Sequence, residues 1–133
     1  MLRFIIAAFL VANALIHASF LTPAPPPRPS APQWPFRLDQ SWALSPLGLT
    51  RRAIRAVGTV LVCLVLLAFA TAAFGLVVQQ GWWRPVTVAG ACLSALLLFL
   101  YLHPWLLLGP LVDAGIVAAL LLARWPSLEA GGA

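Results

Sequence analysis

Apolar residues run almost unbroken through four stretches, roughly 2 to 21, 56 to 79, 86 to 103 and 105 to 124, and polar residues collect between them. About 20 largely apolar residues, within a range of roughly 17 to 25, carry a helix across the hydrocarbon of a bilayer. Lipid offers no partner to exposed N–H and C=O groups, so runs of this length become helices there. The pattern predicts an all-α fold, an integral membrane four-helix bundle forming a single transmembrane domain. A Pro-rich surface loop over 22–45 and a basic juxtamembrane segment over 46–55 join its first two spans.

The joining segments carry their own local signals. Seven prolines stand within 22–35, which forbids a helix and favours an extended polyproline spacer. A docking peptide for an aromatic-lined groove is the sharper alternative. Ser45 followed by Pro46 suits a helix start, with the helix then running into span two and carrying Arg51 and Arg55 on one face and Arg52 beside them. Leu47, Leu49 and Ile54 are expected to face lipid. The turn Gly81–Trp82–Trp83–Arg84–Pro85 joins spans two and three, and Pro85 suits the first turn of the next helix.

Composition agrees with the pattern. At 62% hydrophobic and 8% charged, the chain has too few charges to cover a soluble domain of this size. The first span also resembles a secretory signal, with cleavage after Ala14 or Ala18 as the competing reading. The net charge of +5 arises from eight arginines against two Asp and one Glu. Without a basic stripe interleaved with aromatics, such a balance orients loops and meets anionic headgroups instead of binding nucleic acid. The expected partners are therefore membrane lipids, with a protein partner or a homo-oligomer left open.

Headgroup contacts are assigned to Arg51, Arg52, Arg55, Arg84, Trp82, Trp83 and Trp105, with Trp34 and Trp42 in the aromatic belt. Arg28, Arg37, Arg51, Arg52 and Arg55 share the side of the long loop, whereas Arg3, Arg84 and Arg124 share the other side. That excess predicts a cytoplasmic long loop, in the inner membrane of a bacterium.

Depth along the spans singles out the internal polar residues. Asp113 lies about eight residues into span four, roughly 12 Å from the long-loop side. Asn13 lies at a matching depth in span one, His17 shares its helical face, and His103 marks the end of span three on that side. A carboxylate at this depth must face the interior. Asp113, His17, Asn13 and His103 thus form an expected intramembrane polar cluster, with Asn13 and His17 as the partners of Asp113. It either bridges helices or takes up a proton. Pro110 is expected to kink span four beside Asp113.

Small residues at intervals of four, among them Gly90 with Ser94 and Gly115 with Ala119, mark expected packing seams. Cys63 and Cys92 lie at different depths and read as unpaired, small buried residues. No catalytic triad, phosphate loop, zinc-protease motif or nucleotide fingerprint is present, and neither metal nor cofactor is expected.

The Trp82–Trp83 pair, Ser94, and the series Trp105, Gly109 and Asp113 together resemble small four-helix bacterial membrane proteins of the DoxX-like group, over about residues 41 to 120. The resemblance implies the bundle fold and no particular reaction. The expectation is an accessory or structural membrane subunit without autonomous catalysis. The alternative is a small transport-linked or proton-coupled protein using Asp113.

Overall fold

The computed structural model describes residues 1–23, 25, 26, 29 and 34–126. The polyproline spacer and Arg28 expected within 22–35 fall largely outside the described residues. Four α-helices carry the architecture: α1 (Leu2–Ala18), α2 (Arg51–Val77), α3 (Trp83–Leu100) and α4 (Leu108–Val117). Successive helices pack broadly against one another, α1 on α2, α2 on α3 and α3 on α4. Three stretches, Leu2–Leu21, Arg51–Val77 and Trp83–Leu100, are long and apolar enough to cross a membrane. The protein is an all-α, membrane-embedded helical bundle.

Local chemistry decides where each helix begins and ends, and it corrects several expectations. The residues from Ser45 do not join α2 in one helix. A single 3₁₀ turn spans Ser45–Leu47, and Gly48 follows at φ 75°, a left-handed conformation that glycine adopts without a Cβ penalty. Thr50 then caps α2, its hydroxyl accepting the Ala53 N–H at 3.2 Å. Helix α2 consequently rotates Ile54 into the core, where it is 2% exposed, while Leu47 and Leu49 stay outward.

The fourth span also departs from its expected form. Pro104–Leu106 make a 3₁₀ turn and α4 opens only at Leu108, so Pro110 occupies the first helical turn. An N–H there would have no intrahelical acceptor, so the proline starts the helix instead of kinking it. Its far end widens into a π-helical turn over Ala118–Leu122, where the Ala123 N–H reaches the Ala118 carbonyl at 3.1 Å. The apolar helical stretch Leu108–Leu122 is shorter than the other three. Beyond it, Arg84 at the opposite end of the bundle donates to the Pro126 carbonyl, which ties this segment to the α2–α3 turn.

The interior is built in two apolar groups. One joins Leu10 and Ala14 of α1 to Phe69 and Ala72 of α2 and Ala91 of α3. The other, nearer the long loop, gathers Phe20, Leu38, Ile54, Leu97 and Tyr101. Trp83, expected at the headgroups, is 5% exposed and belongs to the first group. Trp82 lies outside and lays its ring over Gly75. Gly90 lets α3 approach Ala68 and Phe69, whereas Gly115 faces open space and is no seam within the bundle. Cys63 and Cys92 are free as expected, but both face outward and are not buried.

Residues 34 to 47 fold back over the end of α3. Ser41 Oγ donates to the Leu100 carbonyl and Trp42 Nε1 to that of Phe99, both at 2.6 Å. Tyr101 donates its hydroxyl to the Ile54 carbonyl, locking the end of α3 to the start of α2. A Cβ on Gly58 would lie 2.8 Å from the Tyr101 oxygen. Replacement of Gly58 by Leu should therefore displace Tyr101 and cost about 1–3 kcal/mol, as overpacking does. Thermal unfolding in detergent checks this; a melting temperature equal to that of the parent would show that Tyr101 does not set this contact.

Candidate functional site

Apart from Ser41 of the long loop, the buried polar residues among those described arrive from three helices. Helix α1 turns its buried face, Ala7, Leu10, Asn13, Ala14 and His17, towards the core at helical spacing. Helix α3 presents Gly90, Ala91, Ser94, Leu97 and Leu98 in the same way. On α4, Asp113 is the buried residue. Their exposures decide the setting: Ser94 is 0%, Asp113 2% and His17 4% exposed.

The three side chains form one continuous hydrogen-bonded chain. Ser94 Oγ donates to Asp113 Oδ2 at 2.6 Å and lies 2.7 Å from His17 Nε2. His17 Nδ1 lies 2.8 Å from the Asn13 carbonyl oxygen one turn earlier. A carbonyl only accepts, so Nδ1 carries a hydrogen. The His17 ring also stands 6.2 Å from that of Phe69, which closes the α2 side of the site with an apolar wall.

Of the four residues expected to cluster, Asp113 and His17 come together, but through a residue the depth argument left out of the cluster. In the sequence Ser94 reads as a seam residue, because its four-residue spacing from Gly90 has the pattern of packing. Its usable signal was depth: α3 brings it to the level of Asp113, and a buried hydroxyl at that level needs a partner. Asn13 serves through its backbone carbonyl, and its amide Nδ2 is buried without a hydrogen-bond partner. It is therefore not the side-chain partner of Asp113 that its depth suggested. His103 lies in the turn after α3 and lines a cleft at the loop end.

That cleft has a volume of about 660 Å³ and is lined by Trp34, Arg37, Asp39, Trp42, Arg51 and His103, among others. Arg37 grips Asp39 with two hydrogen bonds, 3.1 and 2.8 Å long. The pair's hydrogen bonding holds the Asp39 carboxyl below its ordinary range and raises the Arg37 guanidinium above its own. Trp34 Nε1 is buried with no partner. Arg51, Arg52 and Arg55 stand at the start of α2, and all three are exposed. Arg84 is committed to the protein, over the Trp83 ring at 5.6 Å and on the Pro126 carbonyl. The side chain of Trp105 lies outside the described residues.

Chemically, the order of the chain matters. A serine hydrolase places histidine between serine and the acid, so that the imidazole removes the hydroxyl proton. Here serine stands between histidine and acid. Its hydroxyl is engaged on both sides and has no exposed surface. Among the described residues, no group of three or more His, Cys, Asp and Glu comes together to hold a metal ion. No protein-family model matches the chain, and neither does any curated protein or solved structure.

Replacing Ser94 with Ala would strip both Asp113 and His17 of a partner while leaving both buried. The loss should exceed the average of about 0.6 kcal/mol for an interhelical hydrogen bond in a membrane protein. A value of about 1–3 kcal/mol is expected, since buried groups are left unsatisfied. Unfolding of the purified protein by a denaturing detergent measures it. A cost below the average would remove Ser94 from the centre of the site.

Proposed function

We propose that this is a small multi-pass membrane protein with no catalysis of its own, an accessory or structural subunit whose bundle is fastened internally by His17, Ser94 and Asp113. The observation that carries the reading is the complete burial of Ser94 between its two partners. A nucleophile there is out of reach of a substrate, and its proton and one lone pair are already engaged. Bridging, by contrast, is what the geometry does: α1 and α3 are not among the broadly packed helix pairs, and the His17–Ser94 bond joins them.

The DoxX-like resemblance belongs to the same proposal. Two of the residues that carry it, Ser94 and Asp113, are hydrogen-bonded to each other, a reason for both to occur together. Because α1 supplies His17, the reading also keeps the first segment in the working protein instead of losing it as a signal. Membrane lipids are its surroundings. At the loop-end cleft Arg37 is already paired with Asp39, so the exposed Arg51 is the lining cation that suits their anionic headgroups.

The bacterial inner membrane, with the long loop cytoplasmic, is the setting that best accounts for the arginines near the start of α2. A cysteine introduced at Gln40, with Cys63 and Cys92 replaced by Ala, should resist a membrane-impermeant maleimide in intact cells; labelling would reverse the orientation.

Purification from native membranes with lipids retained tests the central reading. A protein partner in fixed stoichiometry is expected, and Ser94 should remain unlabelled by a serine-reactive fluorophosphonate. A solitary protein would overturn the subunit role, and labelling of Ser94 would overturn the absence of catalysis.

A further inference from the structure

From the hydrogen-bond geometry we infer that His17, Ser94 and Asp113 form a binding site for one exchangeable proton, shared between imidazole and carboxylate through the serine hydroxyl. The inference goes beyond fastening the bundle, and it follows from counting hydrogens. His17 Nδ1 spends its hydrogen on the Asn13 carbonyl. That leaves Nε2, the Ser94 hydroxyl and the Asp113 carboxyl, joined by two short contacts of 2.7 and 2.6 Å. Two contacts need two hydrogens, and serine brings only one.

The missing hydrogen must come from histidine or from the acid. In one arrangement His17 is an imidazolium, its Nε2–H donates to Ser94 Oγ, and the serine O–H donates to an ionised Asp113. In the other, a protonated Asp113 donates to Ser94 Oγ, and the serine O–H donates to a neutral His17. The heavy-atom positions serve both equally. Passing between them breaks the acid's O–H bond as the serine oxygen gains that proton, and breaks the serine's original O–H bond as Nε2 gains the other. No proton enters or leaves, and the net charge of the site is zero in both forms.

Either neighbouring proton count spoils the arrangement. Removing the proton to water leaves an ionised acid and a neutral imidazole competing for one serine hydrogen, so a buried acceptor goes unpaired. Adding a second leaves the imidazolium and the carboxylic acid both donating to Ser94, whose own hydrogen then has no acceptor in the chain. Unpaired groups are costly away from water, as is uncompensated charge, so the site favours a count of one.

The groups facing the site from the four helices are His17 and Asn13 from α1, Phe69 from α2, Ser94 from α3 and Asp113 from α4. Of these, His17 and Asp113 are titratable. The Asn13 amide nitrogen, on the same helix face as His17, is buried without a hydrogen-bond partner.

The test uses the full chain in lipid bilayers, with infrared spectroscopy of the protonated carboxylic acid and ¹⁵N resonances of His17 followed across pH. Protonated Asp113 and imidazolium His17 should add up to one proton per chain and vanish together in one coupled step. The Asp113→Asn amide can donate as the protonated acid does, so this variant should fold, lose the carboxylic band and fix His17 as its neutral Nδ1–H form. Ser94→Ala should split the coupled step into two separate ones. A hydrogen on Nε2 of His17 in Asp113→Asn would overturn the site. So would a wild-type protein holding no proton or two at the pH where it is most stable, or titration of a folded Ser94→Ala variant in one coupled step. If Ser94→Ala does not fold, the His17 tautomer in Asp113→Asn decides the matter alone.

Discussion

The contact on which the rest of this bundle depends is the hydroxyl of Ser94, set between His17 and Asp113 where water does not reach. In a membrane there is little hydrophobic gain in bringing one apolar helix against another, since lipid is as apolar as the helices. Close packing and polar pairing must specify the arrangement. The sequential pairs α1–α2, α2–α3 and α3–α4 provide the packing, helped where Gly90 lets two backbones approach. The polar chain adds what sequential packing lacks, a link from the first helix to the third, continued from the third to the fourth.

The loop end follows the same logic with different groups. Ser41, Trp42 and Tyr101 each satisfy a backbone carbonyl, at Leu100, Phe99 and Ile54 respectively. The helices are thus joined at one end by side chains bonding to backbone, in the middle by the buried chain, and at the other end by Arg84 on the Pro126 carbonyl. Two of these fastenings, at Asp113 and at Pro126, hold the short α4 and the segment after it, where fewer residues are available to pack.

Much of the fold was legible because apolar runs of membrane length leave few alternatives. Boundaries were less so, because they turn on single residues: Gly48 breaks a helix that the pattern alone would have continued, and Pro110 begins one that it seemed to bend. Asp113 and His17 were legible from depth and helical face. Ser94 was missed because serine at a four-residue interval from glycine looks the same whether it packs or bonds. Asn13 was misassigned because depth does not reveal whether a side chain or its backbone makes the contact. Trp83 and Ile54 show the same limit, since residue type suggested interface and lipid where helix rotation put both in the core.

The most direct measurement is a mutant cycle between His17 and Asp113 performed twice, with Ser94 present and with Ser94 replaced by Ala. His17→Phe and Asp113→Leu, singly and together, would be compared by unfolding in a denaturing detergent. If the serine hydroxyl joins the two, the cycle should show a clear coupling energy with Ser94 in place and none without it. Additive effects in the serine background, or a coupling that persists after Ser94 is removed, would contradict the account.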